Sequence, residues 1–226
     1  MRTLAIGDIH GCLKALTSLI GFVGPTAQDR LVFLGDYIDR GPDSKGVIDW
    51  LIDEKRRRGK KLITLRGNHE VMLLGSRTTP NLFMNWRSFG GLEMLESYGV
   101  NNTHDWVEHI PREHWDFFEA TLPYFESNSH IFVHGGIEPD VEMQNQPDMV
   151  LYWQRFENFG PHDSGKTVVC GHTSQKSGEI AQRPGSLCVD TWPLGQWLTC
   201  LDVDSGRFWQ ANQKGDTRKG LLKKTV

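Results

Sequence analysis

Short apolar runs along the chain end abruptly in glycine and polar residues. Residues 4–6, 30–34 and 62–65 each read as a buried strand. Each gives way to a polar loop and then to apolar positions at helical spacing. These are Leu13, Leu16, Ile20 and Val23, then Val47, Ile48, Leu51 and Ile52, then a helix opening at Val71. Gly24-Pro25 closes the first helix. Three successive βα units predict a mainly parallel sheet with a ligand site along its carboxyl edge.

Residues 76–123 break this rhythm. Leu92, Leu95 and Tyr98 predict one helix; Trp115, Phe118 and Leu122 predict another, with Pro111 near its start. The segment reads as a helical insertion over the sheet, its aromatic residues filling core. Residues 124–126, 131–133 and 167–170 resume the strand pattern. Short strands at 180–182, 187–190, 197–202 and 207–212 follow, with Ser205-Gly206 as a turn. They predict a second, antiparallel sheet packed on the first. Residues 1–213 then form one domain. Residues 214–226, rich in Lys, Gly and Thr, are expected to be a flexible tail.

Charge and composition remove some alternatives. A net charge of −3 gives no electrostatic case for nucleic acid. The run Lys55-Arg56-Arg57-Arg58 suits the last turn of a helix instead. No apolar run approaches the roughly 20 residues that span a bilayer, so no membrane partner is expected. The N-terminal apolar run is too short for a signal peptide. Cys12, Cys170, Cys188 and Cys200 form no Cys-x-x-Cys pair; they are expected to be free buried thiols in a reducing cytoplasm.

The chemistry lies at the strand ends. Asp8, His10, Asp36, Asn68, His69, His134 and His172 all follow predicted strands beside glycine. Carboxylates, imidazoles and an amide oxygen suit manganese, iron or zinc better than calcium or copper. The set exceeds the needs of one tetrahedral zinc. It suits two ions sharing a bridging carboxylate, about 3.5–4 Å apart, which clamp in-line attack at phosphorus. His104, His109, His114, His130 and His162 have no such context and read as surface or core residues.

Gly7-Asp8-x-His10-Gly11, Gly35-Asp36-x-x-Asp39-Arg40-Gly41, Gly67-Asn68-His69-Glu70, His134-Gly135-Gly136 and Gly171-His172 together resemble the signature set of calcineurin-like metallophosphoesterases. More narrowly, they are similar to the PPP-type serine/threonine protein phosphatases, in their small bacterial and phage form. The resemblance implies an α/β fold: a β-sandwich of two mixed sheets flanked by helices. It implies two divalent ions, with manganese expected to activate in vitro and iron or zinc as alternatives. Asp8 and His10 would hold the first ion, Asp36 would bridge, and Asn68, His134 and His172 would hold the second. His69 would protonate the leaving alkoxide, oriented by Asp39. Arg40, Arg66 and Arg155 would bind the phosphate.

The implied activity is hydrolysis of phosphoserine and phosphothreonine in phosphoprotein substrates by direct attack of a water or hydroxide held by both ions. Dinucleoside polyphosphate hydrolysis is the alternative; Asp39 and Glu70 favour the phosphatase over it. A non-catalytic metal-binding scaffold is disfavoured by the complete ligand set and His69.

Overall fold

The computed structural model describes residues 1–100 and 102–223. The first half is built as the apolar pattern predicts. Strands β1 (Thr3–Ile6), β2 (Arg30–Phe33) and β3 (Leu62–Thr64) alternate with helices α1 (Leu13–Val23), α2 (Ser44–Arg58) and α3 (Asn68–Ser76). Helix α1 buries Ala15, Leu16, Leu19 and Val23 and ends at Gly24, whose left-handed backbone lets its N–H reach Ile20 O. Asp43 caps α2, accepting the Gly46 N–H at 2.8 Å. Helix α3 starts at Asn68 rather than Val71, so the third polar motif forms its first turn.

The insertion is helical: α4 (Pro80–Trp86), α5 (Leu92–Ser97), α6 (Trp106–His109) and α7 (Arg112–Glu119). A wide turn, Arg87–Gly91, joins α4 to α5. Trp86, Trp106, Trp115 and Phe118 are all buried there. Then come β4 (Tyr124–Glu126), β5 (His130–Val133), α8 (Asp148–Trp153), β6 (Thr167–Cys170), β7 (Ala181–Arg183), β8 (Ser186–Cys188), β9 (Leu198–Asp202), β10 (Arg207–Ala211) and β11 (Thr217–Leu221).

The strands form two mixed sheets, ordered β11-β10-β9-β1-β2-β3 and β4-β5-β6-β8-β7. This corrects two expectations. The late strands do not make a separate antiparallel sheet: β9 pairs antiparallel with β1, so β9 and β10 extend the first sheet. The second sheet has a parallel centre, β5-β6-β8. Nor are residues 217–221 a flexible tail. They form an edge strand along β10, with Gly220 opposite Phe208, whose ring fills the space a side chain there would need. Residues 224–226 of that expected tail lie outside the described residues.

The two sheets pack face to face through Ala5, Val32, Leu34 and Leu201 on one and Phe132, Val169 and Val189 on the other. The alternate residues Leu4, Ile6, Leu31 and Phe33 face the helices. Strands buried on both faces need continuous apolar runs, which is why the pattern was uninterrupted rather than alternating. The cationic run on α2 is matched by acids: Arg56 pairs with Asp53 and Glu113, while Arg57 and Arg58 pair with Glu54. The four cysteines are free and buried. No helix of the described residues is long and apolar enough to cross a membrane.

Candidate metal centre

The carboxyl ends of β1, β2 and β3 in one sheet and of β5, β6 and β8 in the other meet at one edge of the sandwich. Each delivers a polar residue there, and the backbone is bent to do so. His10, Asp36, Asp39, Arg40 and His172 all take left-handed φ values, between 46° and 71°. Such conformations cost about 1–3 kcal/mol each and persist only where surrounding contacts impose them. The flanking glycines have a second reason to be there. A Cβ on Gly67 would lie 2.1 Å from Asp36 Oδ1, and one on Gly171 2.1 Å from Asp8 Oδ1. Only glycine lets these carboxylates approach so closely.

Two groups of donors emerge among the described residues, each with ligand atoms within 4.8 Å of one another: His10, Asp36 and His69, and Asp36, His134 and His172. Asp36 belongs to both. Its Oδ2 is 3.6 Å from His10 Nε2 and its Oδ1 is 3.4 Å from His134 Nε2. Asn68 Oδ1 lies 2.9 Å from His134 Nε2 and 3.0 Å from His172 Nδ1. Asp8 accepts the His172 N–H at 3.0 Å. The imidazoles are aimed from behind: His10 Nδ1 meets Ile38 O and His134 Nδ1 meets Leu34 O, both at 2.9 Å. Each Nδ1 therefore carries a proton, and each Nε2 is turned toward the centre. Carbonyls that set the tautomer in this way are the usual support for metal-binding histidines.

Residues 1–194 match the protein family described as calcineurin-like phosphoesterase. The chain belongs to that family. It is 32% identical to the serine/threonine-protein phosphatase PP2A-like PPG1 of Saccharomyces cerevisiae over 160 residues, which is 70% of this chain and 38% of that one. It is 30% identical to the symmetrical bis(5'-nucleosyl)-tetraphosphatase of Proteus mirabilis over 149 residues, 63% of this chain and 47% of that one. The chain thus spans less than half the length of either relative. Its fold matches the cold-active protein-tyrosine phosphatase of a Shewanella species with a TM-score of 0.63 at 17% identity, covering 96% of this chain and 80% of that one.

Calcineurin-like phosphoesterases work with a dimetal centre, and the electrostatics of this edge fit one. Burial, with Asp190 and Asp36 nearby, pushes Asp8 well above the usual carboxylate range. Asp36, despite burial, is held well below it by His134, His69 and His10. Burial pushes His10 and His172 down to about 4, each aided by a neighbouring imidazole. His134, despite burial, is held above the usual imidazole range by Asp36 and Glu70. Buried imidazoles and carboxylates packed this closely are a donor set that suits a divalent cation.

Two further residues hold the frame. Glu70, fully buried, accepts N–H bonds from Asp36, Tyr37 and Gly67, each at 2.9 Å. Asp190, after β8, is a sixth polar strand end; it accepts Ser174 Oγ at 2.6 Å and the Trp192 N–H at 3.0 Å. Its position one residue past the apolar pair Cys188-Val189 was the available signal in the sequence.

His69 Nδ1 lies 2.6 Å from Asp39 Oδ2, and its Nε2 is 3.9 Å from Asp36 Oδ2. Burial pushes His69 down to about 4 and Asp39 well up. Arg40 Nη1 donates to His10 Nε2 at 3.2 Å, and the residue lines a cleft of about 460 Å³ with Asn68, His172, Phe89 and Trp153.

The structure does not bring the other two arginines to the cleft. Arg66 turns to the end of α7, where Nε donates to Thr121 Oγ1 at 2.9 Å and Nη2 to Glu119 O at 2.9 Å. Its guanidinium satisfies carbonyls that the helix leaves open. Arg155 is exposed and pairs with Glu157 at 2.6 Å. Of the three arginines expected to bind phosphate, Arg40 alone lines the cleft.

Proposed function

We propose that this protein is a metal-dependent phosphomonoesterase acting on phosphoserine and phosphothreonine in proteins. The observation that carries the reading is the buried His69–Asp39 pair, in which His69 reaches the edge of the first donor group while its Nδ1 is held by Asp39. An alkoxide leaves poorly without a proton, and a histidine held by a carboxylate is the arrangement that delivers one.

Asp8, His10, Asp36, Asn68, His134 and His172 would hold two divalent ions, with Asp36 shared, and manganese is the ion expected to activate in vitro. When bound, the ions supply Lewis acidity and a water of lowered pKa for in-line attack. Arg40 binds the phosphoryl oxygens with its planar guanidinium. Asp39 fixes the imidazole by accepting its Nδ1–H, so Nε2 is the atom that meets the leaving oxygen. A bound phosphate dianion raises the proton affinity of His69, so the acid forms once substrate is in place.

Dinucleoside polyphosphate hydrolysis is the second reading. The name of the Proteus relative favours it, and so does the absence of Arg66 and Arg155 from the cleft. The walls oppose it. Beyond Arg40 the cleft is lined mainly by Val71, Met72, Leu82, Phe89 and Trp153, which offer little to a chain of further phosphates.

Calorimetric titration of chelator-stripped protein with manganese tests the metal reading, alongside p-nitrophenyl phosphate turnover. Two ions per chain and turnover that follows their binding are expected. Full-rate turnover in the stripped protein would sink it.

A further inference from the structure

We infer that residues 86–90 of the helical insertion are a positioning element for the Asp39–Arg40 pair. One end holds the carboxylate that orients His69; the other holds the guanidinium that binds phosphate. The inference rests on the roles given to Asp39 and Arg40 under the proposed function.

Asp39 and Arg40 are consecutive residues with φ of 71° and 65°. Two left-handed residues in a row, neither of them glycine, require an outside restraint. Ser44 Oγ accepts the Asp39 N–H at 3.0 Å, and the insertion adds a hold on the Asp39 side chain and on the backbone and side chain of Arg40. Trp86, fully buried, donates its indole N–H to Asp39 Oδ2 at 2.8 Å, the same oxygen that meets His69 Nδ1. Asp39 Oδ1 is buried with no hydrogen-bond partner among the described residues. Besides His69, Trp86 is thus the side chain that fixes the carboxylate. The indole is itself fixed by Phe83 and Trp106, with ring centroids 6.0 and 5.3 Å away.

At the other end, Gly90 O accepts the Arg40 N–H at 3.0 Å and Phe89 O accepts Arg40 Nε at 3.3 Å. Gly90 sits at φ 110° in the wide turn between α4 and α5. A Cβ there would lie 2.5 Å from Arg40 Cγ and 2.7 Å from its backbone N. The turn can grip Arg40 this closely only with glycine at position 90. Wide turns within helices recur at functional sites for this kind of local reshaping. The insertion's aromatic cluster, which reads in the sequence as core, therefore also sets the geometry of the site.

The test uses the full chain loaded with manganese, with inorganic phosphate as competitive inhibitor and two substrates, a phosphoserine peptide and p-nitrophenyl phosphate. Gly90→Ala is expected to raise the phosphate Ki about tenfold, as for a weakened charge-assisted contact, with a smaller change in kcat. Trp86→Phe keeps the stacking and removes the N–H. It is expected to lower kcat on the phosphoserine peptide about tenfold, to lower kcat on p-nitrophenyl phosphate less, and to leave the phosphate Ki in place. Adding Gly90→Ala to Arg40→Ala should raise the Ki no further. A merely structural role would lower melting temperature and both kcat values together. Equal kcat losses on the two substrates in Trp86→Phe, or additive Ki changes in the double variant, overturn the inference. An Arg40→Ala enzyme with unchanged phosphate Ki would remove the arginine's phosphate role itself, and the grip on it with that role.

Discussion

Glu70 Oε2 accepts the backbone N–H of Asp36 at 2.9 Å. The same carboxylate takes the Tyr37 and Gly67 N–H groups, so one side chain on α3 shapes the loops after β2 and β3 together. Burial and the nearby Asp36 push Glu70 up to about 7. Glu70→Gln replaces an acceptor oxygen with a donor amide facing a donor N–H. The expected outcome is a loss of about 2–4 kcal/mol in stability and weaker manganese binding, read by thermal melting and calorimetry. An unchanged metal affinity would show that Asp36 keeps its place without Glu70.

His69→Asn is expected to leave two manganese ions bound and to lower kcat on a phosphoserine peptide by about 10²–10⁴-fold. The loss should shrink on p-nitrophenyl phosphate, whose leaving group needs no proton. Equal losses on both substrates would remove His69 from the acid role. Loss of an ion would instead mark it as a ligand, in keeping with its place in the first donor group.

Arg40 and Arg66 should separate cleanly. Arg40→Ala is expected to raise KM and the phosphate Ki with little change in melting temperature, since the side chain is exposed in the cleft. Arg66→Ala is expected to lower stability by about 1–3 kcal/mol, because the carbonyls at the end of α7 lose their donor. Its KM should stay near that of the parent protein. Steady-state kinetics and melting curves on the two variants decide this.

The features legible in the sequence were local ones. A strand, a glycine, two polar residues and a helix lie within about a dozen positions, so the motifs holding Asp8 and His10, Asp36 and Asp39, and Asn68 and His69 could be read directly. Sheet membership could not. Strand β9 joins β1 across nearly the whole chain, through Leu201 opposite Ala5, and no local pattern encodes that pairing. Strand β11 reads Thr-Arg-Lys-Gly-Leu, without apolar alternation; its place depends on β10. Arg66 sits inside a motif, but its direction is set by Leu65 bridging Leu122, which brings the end of α7 alongside. Trp86 looked like core and is core; its bond to Asp39 appears only when the insertion folds back.

Away from the site, Asp29 gives a pH prediction. A hydrogen bond from the Arg2 guanidinium, at 2.7 Å, holds its carboxyl below the usual range, against the effect of burial. A carboxyl depressed in the folded state contributes stability above its unfolded pKa of about 3.9. That contribution is lost as pH falls through the lower folded value. Between about pH 5 and pH 2 the melting temperature of the parent protein should therefore fall more steeply than that of Asp29→Asn. Parallel curves would show that the Arg2–Asp29 pair does not contribute.

The proposed activity is tested most directly by one comparison on one sample. With manganese-loaded protein, kcat/KM is measured for a phosphoserine peptide and for diadenosine tetraphosphate, each repeated after chelation. The account predicts the higher value for the phosphopeptide and loss of both activities on chelation. A higher value for the dinucleotide, or turnover that survives chelation, would contradict it.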